Sequence, residues 1–131
     1  MKYMLLMNYK VDDVQPMTTW TPEEIKAHID FQNEMNKELI DNGELVEAQA
    51  LTAPELARIV TFDGQGTPVV SDGPFPESKE FLAGYRLVDV ATPERAIEIA
   101  AKASAAPGPA GVPIKQPIEV RQLLSDLMLD A

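Results

Sequence analysis

Apolar positions along this chain fall into short runs and helical stripes, and each predicts an element. The run Tyr3-Met4-Leu5-Leu6-Met7 is continuous, which suits an inner strand of a sheet. Near-alternating runs follow at Glu44 to Ala48, Ala57 to Phe62, Thr67 to Val70, Leu82 to Val90 and Gln116 to Leu123, and the fourth of these reads as the longest strand. Two stretches carry helical spacing instead. Thr21-Pro22-Glu23-Glu24 is a helix start in full, with Thr21 as N-cap, Pro22 at the first helical position and Glu24 where a capping box needs it. That helix is expected to stop at Gly43. Its apolar stripe is Ile25, Ile29, Met35, Leu39 and Ile40, and His28 and Gln32 fall inside the stripe one turn apart. Thr92-Pro93-Glu94 opens a second helix, with Ala96, Ile97, Ala100, Ala101 and Ser104 as a small-residue face able to lie close on a sheet.

The turns between these runs set the order. Asp63-Gly64-Gln65-Gly66 is a hairpin signal, and Pro68 confines the return strand to an edge or a strand start. Ala106 to Gly111 is a Pro/Gly linker before the last strand. The sequence therefore reads as an α+β chain of ferredoxin-like order, β-α-β-β-α-β with an added hairpin strand, its antiparallel sheet covered by two helices on one face. The opposite face still needs cover. Ile59, Phe62, Val69, Val70, Leu87 and Val120 put apolar groups on more than one side of the strands, so two sheets packed face to face, a dimeric α+β barrel, are expected, and the chain is predicted to be a homodimer. The apolar tail 123–131 is expected to dock on the body or on the partner subunit.

Composition narrows the class. The 131 residues suit one domain, and 45% hydrophobic content places the chain among globular proteins. A net charge of −10 repels phosphate backbones and anionic membranes, so neither nucleic acid nor a membrane is an expected partner. Without cysteine there is no disulfide, thiol nucleophile or Cys-based metal site, and a cytoplasmic location is the expectation. No glycine-rich phosphate loop or Gly-x-Ser-x-Gly elbow occurs, so no organic cofactor and no metal are assigned.

What remains is one chemically overdressed turn and one histidine. In Ser71-Asp72-Gly73-Pro74-Phe75, Gly73 permits close backbone approach and Pro74 holds Gly73 away from the helical region, with Asp72 and Phe75 flanking the rigid pair. The plainer reading is an Asx-type turn. The sharper one joins Asp72 to His28, because a carboxylate beside an imidazole fixes its tautomer and suits it to acid or base work near neutral pH. Around that catalytic pair, Gln32 would orient a substrate oxygen, Arg86 or Arg121 would bind a carboxylate or phenolate, and Phe75 and Tyr85, with Tyr9, would line a pocket for a small-molecule ligand. Each also has a plainer role, as a surface ion pair or as core.

The quartet Asp72-Gly73-Pro74-Phe75, followed by Glu77, Lys79, Glu80 and Gly84-Tyr85, resembles the DGPF subgroup of the YCII-related family. The opening Met1 to Met7, the run Leu87 to Val90 and Ile118-Glu119-Val120-Arg121 extend that resemblance over nearly the whole chain, although Gln122 stands where the pattern tends to place a proline. The resemblance implies a dimeric α+β barrel with a His/Asp pair as its proposed active site, and ring dechlorination is attached to a relative. It leaves two readings. One is a cofactor-independent lyase or isomerase moving a proton on a small, for instance aromatic, substrate. The other is a non-catalytic ligand-binding or regulatory partner protein, since some DGPF relatives are associated with extracytoplasmic-function sigma factors.

Overall fold

Eight main elements follow one another in the computed structural model, which describes residues 1–10, 17–73 and 80–127 of the chain. They are β1 (Lys2–Lys10), α1 (Pro22–Asp41), β2 (Leu45–Ala50), β3 (Arg58–Phe62), β4 (Pro68–Asp72), β5 (Glu80–Asp89), α2 (Pro93–Ser104) and β6 (Ile118–Gln122). The main sheet has the order β2-β5-β1-β6, antiparallel throughout. This is the ferredoxin-like order, and β3 and β4 form a separate two-stranded sheet inserted between β2 and β5. The run Ala57 to Phe62 therefore joins its hairpin partner rather than the main sheet. Neither helix is long and apolar enough to cross a membrane.

Both helices close on one core. Tyr3 and Leu5 of β1 face Val88 and Arg86 of β5 across the ladder, and Met35 and Leu39 of α1 join Ala96, Ile99, Ala100 and Ala103 of α2 above them. Leu5, Leu39, Ile99 and Val88 are the largest fully enclosed side chains, each worth about 1.5–3 kcal/mol of apolar burial. Strand alternation sends Met4, Leu6, Tyr85 and Leu87 to the opposite face, where they are half-buried.

The buried faces of the helices agree with the sequence expectation at Met35, Leu39, Ala96 and Ala100, with His28 and Gln32 inside the stripe of α1, and differ from it at their edges. Ile29 and Ile40 are 47% and 61% exposed, and the buried line of α1 runs through His28, Phe31, Gln32, Met35 and Leu39. Sheet packing selects a face rotated toward the polar residues because those residues find partners there. In α2, Ile97 and Ala101 point outward while Ile99 and Ala103 are buried, since the Ala96, Ala100 and Ala103 line brings the helix closest to the sheet.

Local chemistry fixes the joints. Thr21 and Glu24 form a reciprocal capping box at the start of α1, and Gly43 ends the helix at φ 72°. Asp63 accepts from the backbone of Gln65 and Thr67 in the hairpin turn, where Gly64 and Gly66 take positive φ. Gly73 donates its backbone N–H to Ala57 at 2.9 Å, and a side chain built on it would meet Ala57 Cβ at 3.1 Å.

Glu44, in the turn between α1 and β2, is tied to the start of α2. Arg95 donates from Nε and Nη2 to the two carboxylate oxygens of Glu44, both at 2.9 Å, and this fork holds Glu44 below its ordinary range. A lowered carboxylate stabilises the fold above its ordinary value of 4.5, and that contribution disappears as pH falls through the folded-state value. Glu44→Gln is therefore expected to lower unfolding stability by about 1–2 kcal/mol at neutral pH. In denaturant titrations the gap between variant and parent should close in acid; a gap independent of pH would assign the loss to packing.

Candidate functional site

His28, Gln32 and Asn36 stand four residues apart on α1, so their side chains form a single polar line along one side of the helix. That line borders an open cleft of about 490 Å³ between α1, β2 and β5. The helix start sets its phase. Trp20, just before the N-cap, is buried and meets the His28 ring edge-on, with centroids 5.5 Å apart. Glu24 completes the capping box and also accepts the backbone N–H of Ala110, which is in the left-handed region at φ 57°, so the loop between α2 and β6 folds back onto the first turns of α1. These two backbone hydrogen bonds draw the Glu24 carboxyl below its ordinary value.

The same loop orients the imidazole. The carbonyl oxygen of Pro107 lies 2.9 Å from His28 Nδ1. A carbonyl can only accept, so the hydrogen-bond network assigns the proton of the neutral ring to Nδ1 and leaves the lone pair on Nε2. The amide nitrogen of Gln32 lies 3.4 Å from that Nε2. Gln32 Oε1 accepts from Arg86 Nη2 at 2.6 Å, which turns its NH₂ group toward the histidine. Both contacts favour the same amide orientation.

Arg86 anchors the line from the sheet side. It is 2% exposed, and it donates from Nε to Asn36 Oδ1 at 2.8 Å and from Nη2 to the Gln32 carbonyl oxygen at 3.4 Å. Burial lowers its pKa from the ordinary arginine value, with no carboxylate contributing to the shift. Beside it β1 and β5 slip register between Met7 and Asn8, and Gly84 lies opposite Met7. A Cβ on Gly84 would come within 2.6 Å of the Gln49 carbonyl oxygen, so only glycine lets β2 approach this closely at the cleft wall.

The other sequence candidates are distributed differently. Tyr85 borders the cleft, and desolvation followed by the charge of Glu47 raises its hydroxyl pKa. Tyr9 stacks at a tilt on Phe81, 5.9 Å between centroids. Asp72 ends β4 at the root of the hairpin, where its exposed carboxylate pairs with Arg58 at 3.4 Å, and it is not part of the cleft wall. Arg121 on β6 is exposed and pairs with Glu119 at 3.5 Å. Phe75 lies outside the described residues. Among the described residues no group of three His, Asp or Glu side chains is placed to hold a metal ion.

Sequence reasoning missed Trp20, Asn36 and Pro107. Two signals were present: Trp20 occupies the staple position before the N-cap, and Asn36 continues the spacing of His28 and Gln32. Pro107 acts through its backbone carbonyl, so its side chain gave no signal.

Comparison with known proteins places these features in a context. The YCII-related domain profile matches residues 1–116. An uncharacterised protein of Rhizobium meliloti (strain 1021) is 28% identical over 89 residues, covering 68% of this chain and 71% of that protein.

The energetics of Arg86 can be tested separately from any ligand. Removing the guanidinium relieves a desolvation cost of several kcal/mol and gives up hydrogen bonds worth roughly 1.5–3 kcal/mol each. Arg86→Met is therefore expected to leave unfolding stability within about 1 kcal/mol of the parent in urea titrations. A loss of about 3 kcal/mol or more would make Arg86 a structural strut.

Proposed function

Because the chain belongs to the YCII-related family, we propose that it is a small enzyme of that family's DGPF subgroup, working without an organic cofactor, in which His28 moves a proton on a small molecule held in the cleft. The observation that carries this reading is the hydrogen bond from His28 Nδ1 to the Pro107 carbonyl, which leaves Nε2 as a positioned base at the edge of a cleft. Isomerisation and elimination both need a group that takes a proton from carbon, and isomerisation also needs it returned. A neutral imidazole with one fixed N–H and one lone pair can do both. The cleft volume and its largely apolar wall suit a compact substrate, an aromatic ring included.

Asp72 enters the reading as the second acid–base group, as the family's proposed pairing suggests. Its present partnership with Arg58 is solvent-exposed, and such pairs are worth about 0–1 kcal/mol, so little opposes its recruitment. The subunit is proposed to act as a homodimer. Val60, Phe62, Val69 and Val70 of the hairpin are all at least half exposed, and an isolated two-stranded hairpin is marginally stable in water. A second copy covering the hairpin and the half-buried face of Met4, Leu6, Tyr85 and Leu87 would supply the missing contacts.

Deuterium wash-in from heavy water into a panel of small carbonyl compounds, followed by proton NMR, tests the chemistry. The parent is expected to exchange at least one substrate, and His28→Gln to slow that exchange by about 10²-fold or more. Unchanged exchange in His28→Gln would end the proton-transfer reading, whereas saturable binding without exchange in the parent would favour a non-catalytic ligand-binding role. Asp72→Asn separates the pair: a loss of about tenfold or more makes Asp72 part of the chemistry, and parent-like exchange makes its loop architectural. In sedimentation, the parent is expected to run as a dimer and Phe62→Asp to shift toward monomer; a monomeric parent would remove the proposed assembly.

A further inference from the structure

Arg86 is the only charged side chain that the described residues enclose, and its surroundings are short of one thing. A guanidinium presents five N–H donors. Nε has the Asn36 oxygen, and Nη2 has the two Gln32 oxygens, but the two hydrogens of Nη1 have only the thioether of Met7, with sulfur 3.8 Å away. Sulfur is a weak acceptor. Among the described residues no carboxylate forms an ion pair with Arg86, in a chain that carries 21 acidic residues against 11 basic ones. Every hydrogen-bond acceptor it has among the described residues is neutral, so a desolvated cation beside an open cleft has no anion from them.

We infer that the ligand of this cleft is a small monocarboxylate with an apolar body, its carboxylate received by Arg86 at Nη1 and its body laid along Met7, Ile29, Ala48, Leu51 and Ala83. This deepens the proton-transfer reading and rests on it for the identification of the site. The carboxylate supplies what Nη1 lacks, an acceptor with charge and planar geometry matched to the guanidinium fork. One cation balances one anion. A phosphate dianion would leave a second negative charge unpaired in a protein already at −10, and a neutral ligand would leave the arginine unpaired. The wall named above has no side-chain hydrogen-bonding groups beyond the Met7 sulfur, so the body it accepts is apolar. Gln32 contacts both Arg86 and His28, and all three border the same cleft, so the anchoring group and the imidazole belong to one site.

Benzoate, its neutral isostere benzamide and inorganic phosphate, each titrated into the full chain at constant ionic strength and followed by NMR, test this. The single His28 ring and the Gln32 side-chain amide give the local readout. Benzoate is expected to bind saturably and shift both sets of signals, with benzamide and phosphate weaker by about tenfold or more. Arg86→Gln should reduce benzoate affinity by about tenfold or more and leave benzamide unaffected. Equal binding of benzoate and benzamide, tighter phosphate, no benzoate binding, or unchanged benzoate affinity in Arg86→Gln would each overturn the inference. The benzoate and benzamide comparison in the parent decides the matter even if the variant fails to fold. His28→Gln keeps the two proposals apart: benzoate binding retained there while proton exchange is also retained would remove the chemistry and leave the carboxylate site, and lost benzoate binding in a parent that still exchanges protons would do the reverse.

Discussion

A guanidinium enclosed between a helix and a sheet must be hydrogen-bonded, because an unsatisfied buried donor carries the full penalty of its lost hydration. Arg86 meets that demand at Nε and Nη2 by taking Asn36 and Gln32 from successive turns of α1, and in doing so it ties β5 to the helix at the level of the cleft. The rotation of α1 follows from this. Its polar line faces inward while Ile29 borders the open cleft and Ile40 faces out, an arrangement that apolar burial alone would not choose. Gln32 then has its oxygen committed to Arg86, and its amide nitrogen is turned toward His28.

The opposite end of the same line is held by backbone. The loop after α2 touches α1 twice, through the Ala110 N–H at Glu24 and through the Pro107 carbonyl at His28. Glu24 thereby serves two structures at once, the capping box that starts the helix and the loop that orients the imidazole. A helix start and a distant Pro/Gly linker become one unit, and the tautomer of the only histidine is a consequence of their packing. The Pro107 carbonyl on one side and the Gln32 amide on the other leave His28 Nε2 as the unprotonated ring nitrogen, which is why the proposed chemistry is placed on that atom.

The hairpin of β3 and β4 obeys a different logic. Its residues are exposed on both faces apart from Ile59, and its internal order comes from turn chemistry at Asp63, Gly64 and Gly66 together with the close approach of Gly73 to Ala57. The main sheet, by contrast, is covered by the helices over β1 and β5, with the cleft opening beside β2, and is half-covered on the other face. The two incompletely covered surfaces, one on the hairpin and one on the sheet, are the physical basis for proposing a second copy of the chain.

The sequence by itself determined the elements and their order, because capping, turn and strand signals act over a few residues. Thr21 with Glu24 announced α1, Gly43 ended it, Thr92-Pro93 announced α2, and the glycine turn at Gly64 announced the hairpin. It also brought His28, Gln32 and Arg86 forward as candidates, the first two from helical spacing and the third from its place on the longest strand. Tertiary structure alone decided where the edges of each buried helix face lie, since Ile29 and Ile97 lost their predicted places to residues that match the sheet's shape and its arginine. It also placed Arg121 and Asp72 in exposed ion pairs away from the cleft wall, and recruited the Pro107 carbonyl, a backbone group that no side-chain pattern encodes. Local signals are short-range and additive. The partners of a buried polar group are set by whatever the completed fold brings within hydrogen-bond reach.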